Sequence, residues 1–373
     1  MKKRILILLL MLSLSFSCVS FARDVMSDTW TFVDDLGRAT PMHDEVGNLT
    51  DREVGMFYFV CQTGDDGTLY DTTRQFRQSG VAKVLEDIPE AGSPHFWNES
   101  YFGYYRTGDP WVIRKHMQML TDAGVDFIFV DVSNGVLYED DVTVILDTML
   151  EIIKEGGDVP RVCFLLSDMA DLCAKSSEIL YETFYSNAKY SALWYIWDNK
   201  PLILANMSEA ESELQEYFTH RRSWAFNSWA REGNGRWPWI VETPQVRGKS
   251  HTGVVEQTAV AAGFHANANK GRSFHDGYQP DNGAQDFGYS LGTSGLGLCY
   301  QEQWDNALAN KTQVVMITGW NEWHAMVQEG AFADWICNTW YSGMEFPYYY
   351  VDCFSNEYSR DLEPCRNDFK DNY

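Results

Sequence analysis

The chain has 373 residues, of which 53 are Asp or Glu and 29 are Lys or Arg, for a formal net charge of −24. Such an acidic chain should repel nucleic acid and anionic membranes, and it is too long for a minimal domain. Its 14 Trp, 20 Tyr and 21 Phe are more than one core easily absorbs, so some rings are available to stack on sugar faces, although core packing is the default for any single one.

The N-terminus carries Lys2-Lys3-Arg4, an apolar run Ile5–Leu12 and then Ser20-Phe21-Ala22, with small residues at the two positions a signal peptidase reads. That pattern predicts a secretory signal over 1–22, cleaved after Ala22, and the run is too short to span a bilayer. A lipid anchor at Cys18 is the lesser alternative, because Ser15 stands where a lipoprotein signal carries an aliphatic residue. No later stretch is long and apolar enough for a membrane span. Cleavage leaves 351 residues and, with three cations lost, a net charge of −27, a length suited to one large α/β barrel or two smaller domains. Seven cysteines follow the signal, an odd count with no zinc spacing, and Cys353 with Cys365 is the expected disulfide. Sequons stand at Asn48, Asn98, Asn206 and Asn310.

Residues 23–53 read as a polar lead-in, and Val54–Val60 as the first strand. The long connection 61–108 holds a helical pattern near Leu69–Gln78 and then aromatic clusters at Pro94-His95-Phe96-Trp97 and Tyr101-Phe102-Gly103-Tyr104-Tyr105. Asp109-Pro110 opens a helix with an N-cap and a first-turn proline, its buried stripe is Val112, Ile113, His116, Met117 and Leu120, and Gly124 closes it. Strand Asp126–Val130 delivers Asp131, Ser133 and Asn134 to its carboxyl end. The next helix opens on Glu139-Asp140-Asp141 and turns Val142, Ile145, Leu146, Met149 and Ile153 inward. Strands follow at Arg161–Leu166, Pro201–Ala205, Ser223–Asn227, Trp237–Val241 and Thr258–Phe264, with helices over 169–189 and 208–218. Gln301–Asn310 reads as a helix with Trp304, Ala307 and Leu308 on one face, ahead of the last strand, Val314–Ile317. Eight strands alternating with helices predict an α/β fold, a (β/α)8 TIM barrel over 54–353 with long loops at the carboxyl ends of its strands and a tail at 354–373. The weakest units are 219–242, where two strands crowd together, and 326–373.

Sites in such barrels are built where strands end. The last strand runs into Gly319-Trp320-Asn321-Glu322-Trp323-His324, a carboxylate among indoles, an amide and an imidazole. Aromatic neighbours would raise its proton affinity, which makes Glu322 a candidate proton donor, against the plainer alternative that it pairs with an Arg and the tryptophans are core. The other expected mouth residues are His95, Trp97, Tyr104, Asp131, Asn134, Asp168, Asn206, Glu242, Gln245, His265, His275, Asp276, Trp320, Asn321 and His324. Trp97 and Trp320 are the expected sugar-stacking rings. Carboxylates, amides and indoles without a Gly-rich phosphate cradle or a basic cluster suit a neutral polyhydroxylated ligand. No cofactor is implied, and a metal held by His265, His275 and Asp276 is the weaker reading.

Tyr104-Tyr105 with Asp109-Pro110-x-Val112-Ile113, Ala123-Gly124-Val125-Asp126 and Thr318-Gly319-Trp320-Asn321-Glu322-Trp323-His324 resemble the two best-marked segments of the endo-α-mannosidase-like glycoside hydrolases, family 99 and its relatives, with family 71 more distantly similar. The resemblance implies a secreted barrel glycosidase with Glu322 catalytic. The family motif ends Asn-Glu-Trp-His-Glu, and its second glutamate is Ala325 here. The partner carboxyl must then come from another strand end: Asp131 first, Glu242 second, with Asp168, Asp276 and Glu329 behind them. The expected function is hydrolysis of a neutral polysaccharide or glycan by two carboxyl groups, and the rival, motivated by Ala325, is a non-catalytic carbohydrate-binding barrel.

Overall fold

The structure is a computed structural model. It describes residues 52–62, 70–71, 73–75, 78–79, 94–225, 233–264, 270–280, 293–328, 349–350 and 355–366, with 31, 33, 37–40 and 45 near the N-terminus. The signal, most of the lead-in, His265, Glu329 and Cys353 lie outside them.

Eight parallel strands form a closed cylinder: β1 Glu53–Phe59, β2 Phe127–Asp131, β3 Arg161–Leu165, β4 Lys200–Leu204, β5 Thr219–Ala225, β6 Arg236–Ile240, β7 Val255–Ala261 and β8 Val314–Thr318. Each pairs in parallel with its sequence neighbour, except that the short antiparallel strand Gly248–Lys249 bridges β6 and β7. The cylinder closes where β8 meets β1, with Gly55 opposite Met316, and the β3–β4 pairing sets Leu165 opposite Leu204. The strand runs are apolar on both faces, as parallel strands covered on two sides must be. One face fills the barrel with Phe57, Phe59, Phe127, Phe129, Cys163, Leu165, Leu202, Leu204, Trp237, Val314 and Met316. Phe57 stacks on Trp239 at 5.2 Å and Phe127 on Tyr195 at 3.9 Å. The other face carries Met56, Ile128, Val130, Val162, Phe164, Ile203 and Val260 against the helices.

The outer helices include α1 Pro110–Asp122, α2 Glu139–Lys154, α3 Ala170–Leu180, α4 Ser212–Tyr217 and α5 Leu298–Asn310. Asp109 caps α1 by accepting from the Trp111 and Val112 amides, and the stripe from Val112 to Leu120 is buried as the spacing predicts. Gly124 takes φ +75°, the left-handed turn that releases the chain into β2. Helix α5 departs from expectation. Its buried positions are Cys299, Gln303 and Ala307, while Leu308 is exposed. The amide of Gln303 reaches the Val241 carbonyl and the Gln245 side chain, so hydrogen bonding rather than hydrophobic spacing sets that face.

Strand β5 begins at Thr219, earlier than its sequence suggests, because His220-Arg221-Arg222 hides it. Arg221 points into the barrel and forms a two-pronged pair with Glu256, Nε to Oε2 and Nη2 to Oε1 both at 2.8 Å. The Trp237 indole also donates to Glu256, so this buried charge is paired and hydrogen-bonded.

Candidate active site at the carboxyl end of the barrel

Strand parity decides which strand-end side chains face the mouth, because alternate residues share a face. On β2, Phe127 and Phe129 fill the barrel interior, so Asp131, two residues on, continues that face into the mouth, where it is half-buried. It lies two strands from the end of β8, roughly 10 Å along the wall at ordinary strand spacing. Its Oδ1 accepts from the Ser133 amide at 3.0 Å, which turns the chain away from the strand.

Around it stand the expected Asn134 and His324, together with Tyr138 and Cys61, which the sequence did not single out as site residues. Tyr138 adopts φ +47°, a conformation a bulky residue rarely takes, and its hydroxyl donates to Cys61 Sγ at 2.8 Å. Asn134 donates to the same hydroxyl at 2.6 Å. Burial, the bond to Cys61 and the negative charge of Asp131 hold the Tyr138 hydroxyl protonated well above its usual range. On the other side of Cys61, its carbonyl meets His324 Nδ1 at 2.9 Å. Burial lowers His324 to about 4, so this imidazole is neutral at physiological pH. Asp131, Asn134, Tyr138, Cys61 and His324 therefore form one polar rim above β1 and β2.

The motif after β8 is wired differently. Glu322 is only 3% exposed, and its Oε2 accepts from Arg360 Nη2 at 2.9 Å. Arg360 belongs to a strap, residues 355–366, in the segment that reads in the sequence as the barrel's exit. The strap is hydrogen-bonded to the motif: the Gly319 amide donates to the Arg360 carbonyl at 2.7 Å, the Leu362 amide to Gly319, and the Glu363 amide to the Trp320 carbonyl. Asp361 Oδ1 accepts the Glu322 amide at 2.6 Å. Buried Glu363 accepts from the Trp323 indole at 2.5 Å, from Tyr105 at 2.6 Å and from Ser100, and lies 3.1 Å from His116 Nε2. The Glu322 carboxyl is thus buried and engaged by the Arg360 guanidinium.

No family model and no curated protein matches the chain. Among solved structures, it is similar to the GH99 endo-α-mannosidase of Bacteroides thetaiotaomicron in complex with bis-tris propane, at 15% identity over 74% of this chain and 85% of that one, with a TM-score of 0.42. A second structure of the same enzyme matches at 16% identity over 74% of this chain and 86% of that one, again with a TM-score of 0.42. At this level the likeness extends to neither substrate nor mechanism.

The remaining expected site residues scatter. Trp97 and Trp323 stack on each other at 4.8 Å and are buried, and the Trp97 indole donates to the Glu322 carbonyl at 2.6 Å. Trp320 is buried among the outer-layer side chains beside His116. These indoles are core, not sugar platforms, because the strap and the 94–105 connection cover them. The Asn321 side chain exchanges two hydrogen bonds with the backbone of Phe59, at 2.9 and 3.1 Å, and so extends β1 rather than binding a ligand. His95 is buried against Tyr70, and Tyr104 donates to Asp71 at 2.7 Å. Gln245 sits inside an amide cluster with Gln303, Asn306 and the Ala259 carbonyl, between β7 and α5.

Asp168 turns outward to a two-pronged pair with Arg222, and Asn206 donates to the Asp168 carbonyl at 3.1 Å. Glu242 follows β6, whose Ile240 clusters with Phe264, Phe274 and Cys299, and it pairs with Lys270 at 2.5 Å. His275 binds the Ser273 carbonyl through Nδ1, and Asp276 is exposed. Among the described residues no cluster of three or more His, Cys, Asp or Glu is placed to hold a metal. Among the groups the sequence missed, Arg360, Asp361 and Glu363 meet motif residues remote in the chain, and Tyr138 meets Cys61 from 77 positions away.

Proposed function

We propose that the chain is a secreted glycoside hydrolase acting on a neutral glycan, with Asp131 as the carboxylate that meets the substrate at the mouth. The observation that carries this reading is the parity of β2, which turns Asp131 into the mouth beside the neutral hydroxyl and amide of Tyr138 and Asn134. Those groups donate and accept hydrogen bonds as sugar hydroxyls require, and a carboxyl group there can exchange a proton with a glycosidic oxygen. In this reading Glu322 is a positioning residue: its pair with Arg360 fixes the strap, and the strap fixes the motif that supports β1 through Asn321.

One observation favours a second reading, a barrel that binds sugar without cleaving it. The motif glutamate is buried against an arginine, and Ala325 occupies the place of its second carboxylate. Glycan release and glycan binding, measured together on a panel of neutral polysaccharides and N-glycans with wild type and Asp131→Asn, separate the two. Release by wild type that vanishes in the variant while binding survives supports the hydrolase. Binding without release by either protein replaces it with the sugar-binding barrel.

A further inference from the structure

The outward face of β4, β5 and β6 holds a cavity of about 230 Å³ that the mouth chemistry does not use. Its polar lining includes Asn206, His220, Arg222, Asn234, Arg236 and His251, and among the described residues no carboxylate lines it. That composition is unusual for this chain, in which acidic residues outnumber basic ones by 53 to 29. The local fold explains how it arises. Arg221 faces inward to Glu256, so its strand neighbours His220 and Arg222 face outward, and the register of β5 on β6 sets Arg236 directly opposite Arg222. Strands β5 and β6 are joined by only ten residues, 226–235, fewer than the dozen or more that a parallel pair usually takes for a crossover.

The cations differ in their commitments. Arg222 is neutralised by Asp168, 2.7 Å from Nη2 to Oδ2. Arg236 makes no ion pair or hydrogen bond among the described residues although it is partly buried. The His220 ring stacks edge-on to His251 at 4.6 Å, and His251 Nε2 contacts the His220 carbonyl at 3.0 Å. Burial first, then the charges of His251, Arg221 and Lys200, push His220 down to about 4, a sign of the positive field on this wall. A concave site with a guanidinium unpaired among the described residues, three side-chain amides and two imidazoles recognises planar or tetrahedral oxygen anions, which Arg binds through paired N–H groups.

We propose that this cavity is an oxyanion-binding site, separate from the mouth, that takes a sulfate, phosphate or carboxylate group with Arg236 as its principal ligand. The shared chemistry is the oxyanion, whether as a free ion or as a substituent on a saccharide. The inference does not depend on the hydrolase reading.

The test titrates the full chain with inorganic sulfate, inorganic phosphate, glucuronate and a sulfated monosaccharide, following the imidazole resonances by NMR, with chloride at matched ionic strength as control. The expected result is saturable binding of at least one oxyanion that moves the His220 and His251 signals, weakened about tenfold or more in Arg236→Gln and less in Arg236→Lys. Preference for the sulfated sugar or glucuronate over the inorganic ions would identify a saccharide substituent as the source, and the reverse a free ion. The absence of saturable binding by all four probes overturns the proposal, as does binding unchanged in Arg236→Gln. Should Arg236→Gln fail to fold, as judged by circular dichroism, His251→Ala on the exposed rim of the cavity takes its place, with binding read on the His220 signal alone.

Discussion

The ends of β2 and β8 stand two strands apart on one barrel and present their carboxyl groups in opposite environments. At β8 the motif glutamate is buried and paired with Arg360, its amide is held by Asp361, and the adjacent indole is held by Glu363. At β2 Asp131 is half-buried, faces the mouth and is bordered by Tyr138, a residue in a left-handed conformation. Backbone strain of that kind, about 1–3 kcal/mol, persists only where surrounding structure enforces it, and it concentrates at functional sites. On the proposed reading, the glutamate set among tryptophans is architecture and the aspartate ending an ordinary strand meets the ligand.

The largest expected effect lies on the β8 side. Glu322→Ala leaves the Arg360 charge buried without its carboxylate and should cost about 3–5 kcal/mol in denaturant unfolding, the usual penalty for breaking a buried pair from one side. A loss below about 1 kcal/mol would mean that the pair is open to solvent and would erase the contrast with Asp131.

Acid should act on the same side. His324 is held near 4 in the fold against 6.5 for an ordinary histidine, so the unfolded chain takes up the proton first. Its contribution to stability is complete above about pH 6.5 and is lost as pH falls toward 4, on the order of 3 kcal/mol in all. Unfolding curves of wild type and His324→Gln across that window should converge on acidification, and parallel curves would contradict the assignment.

Asn321→Ala removes both bonds to Phe59 and should cost about 1–3 kcal/mol, with hydrogen exchange quickening at the Phe59 amide. Exchange unchanged there would detach the motif from β1. The smallest effect belongs to Lys270→Ala. Its pair with Glu242 is partly exposed, so stability should move by about 1 kcal/mol or less, and a larger change would promote Glu242 to a structural anchor.

Much of the barrel was legible because parallel strands announce themselves as apolar runs, and helices such as α1 and α2 as spaced stripes with caps. Strand β5 was half hidden, because Arg221 is buried through partners such as Glu256, 35 positions away. The site was less legible for the same reason. Trp97 and Trp320 read as sugar-stacking rings because the strap packed against this region, residues 355–366, lies 35 or more positions further on. Asp131 could be placed at a strand end from sequence, but its direction into the mouth needed the parity of Phe127 and Phe129.

The central claim is that Asp131 meets the substrate while Glu322 holds the scaffold. It is tested most directly by measuring kcat/KM for glycan release by Asp131→Asn and Glu322→Gln, each verified as folded. Asp131→Asn should lose about 100-fold or more and Glu322→Gln much less, its main defect being stability. A folded Glu322→Gln that is inactive, beside an Asp131→Asn that works as well as wild type, would contradict it.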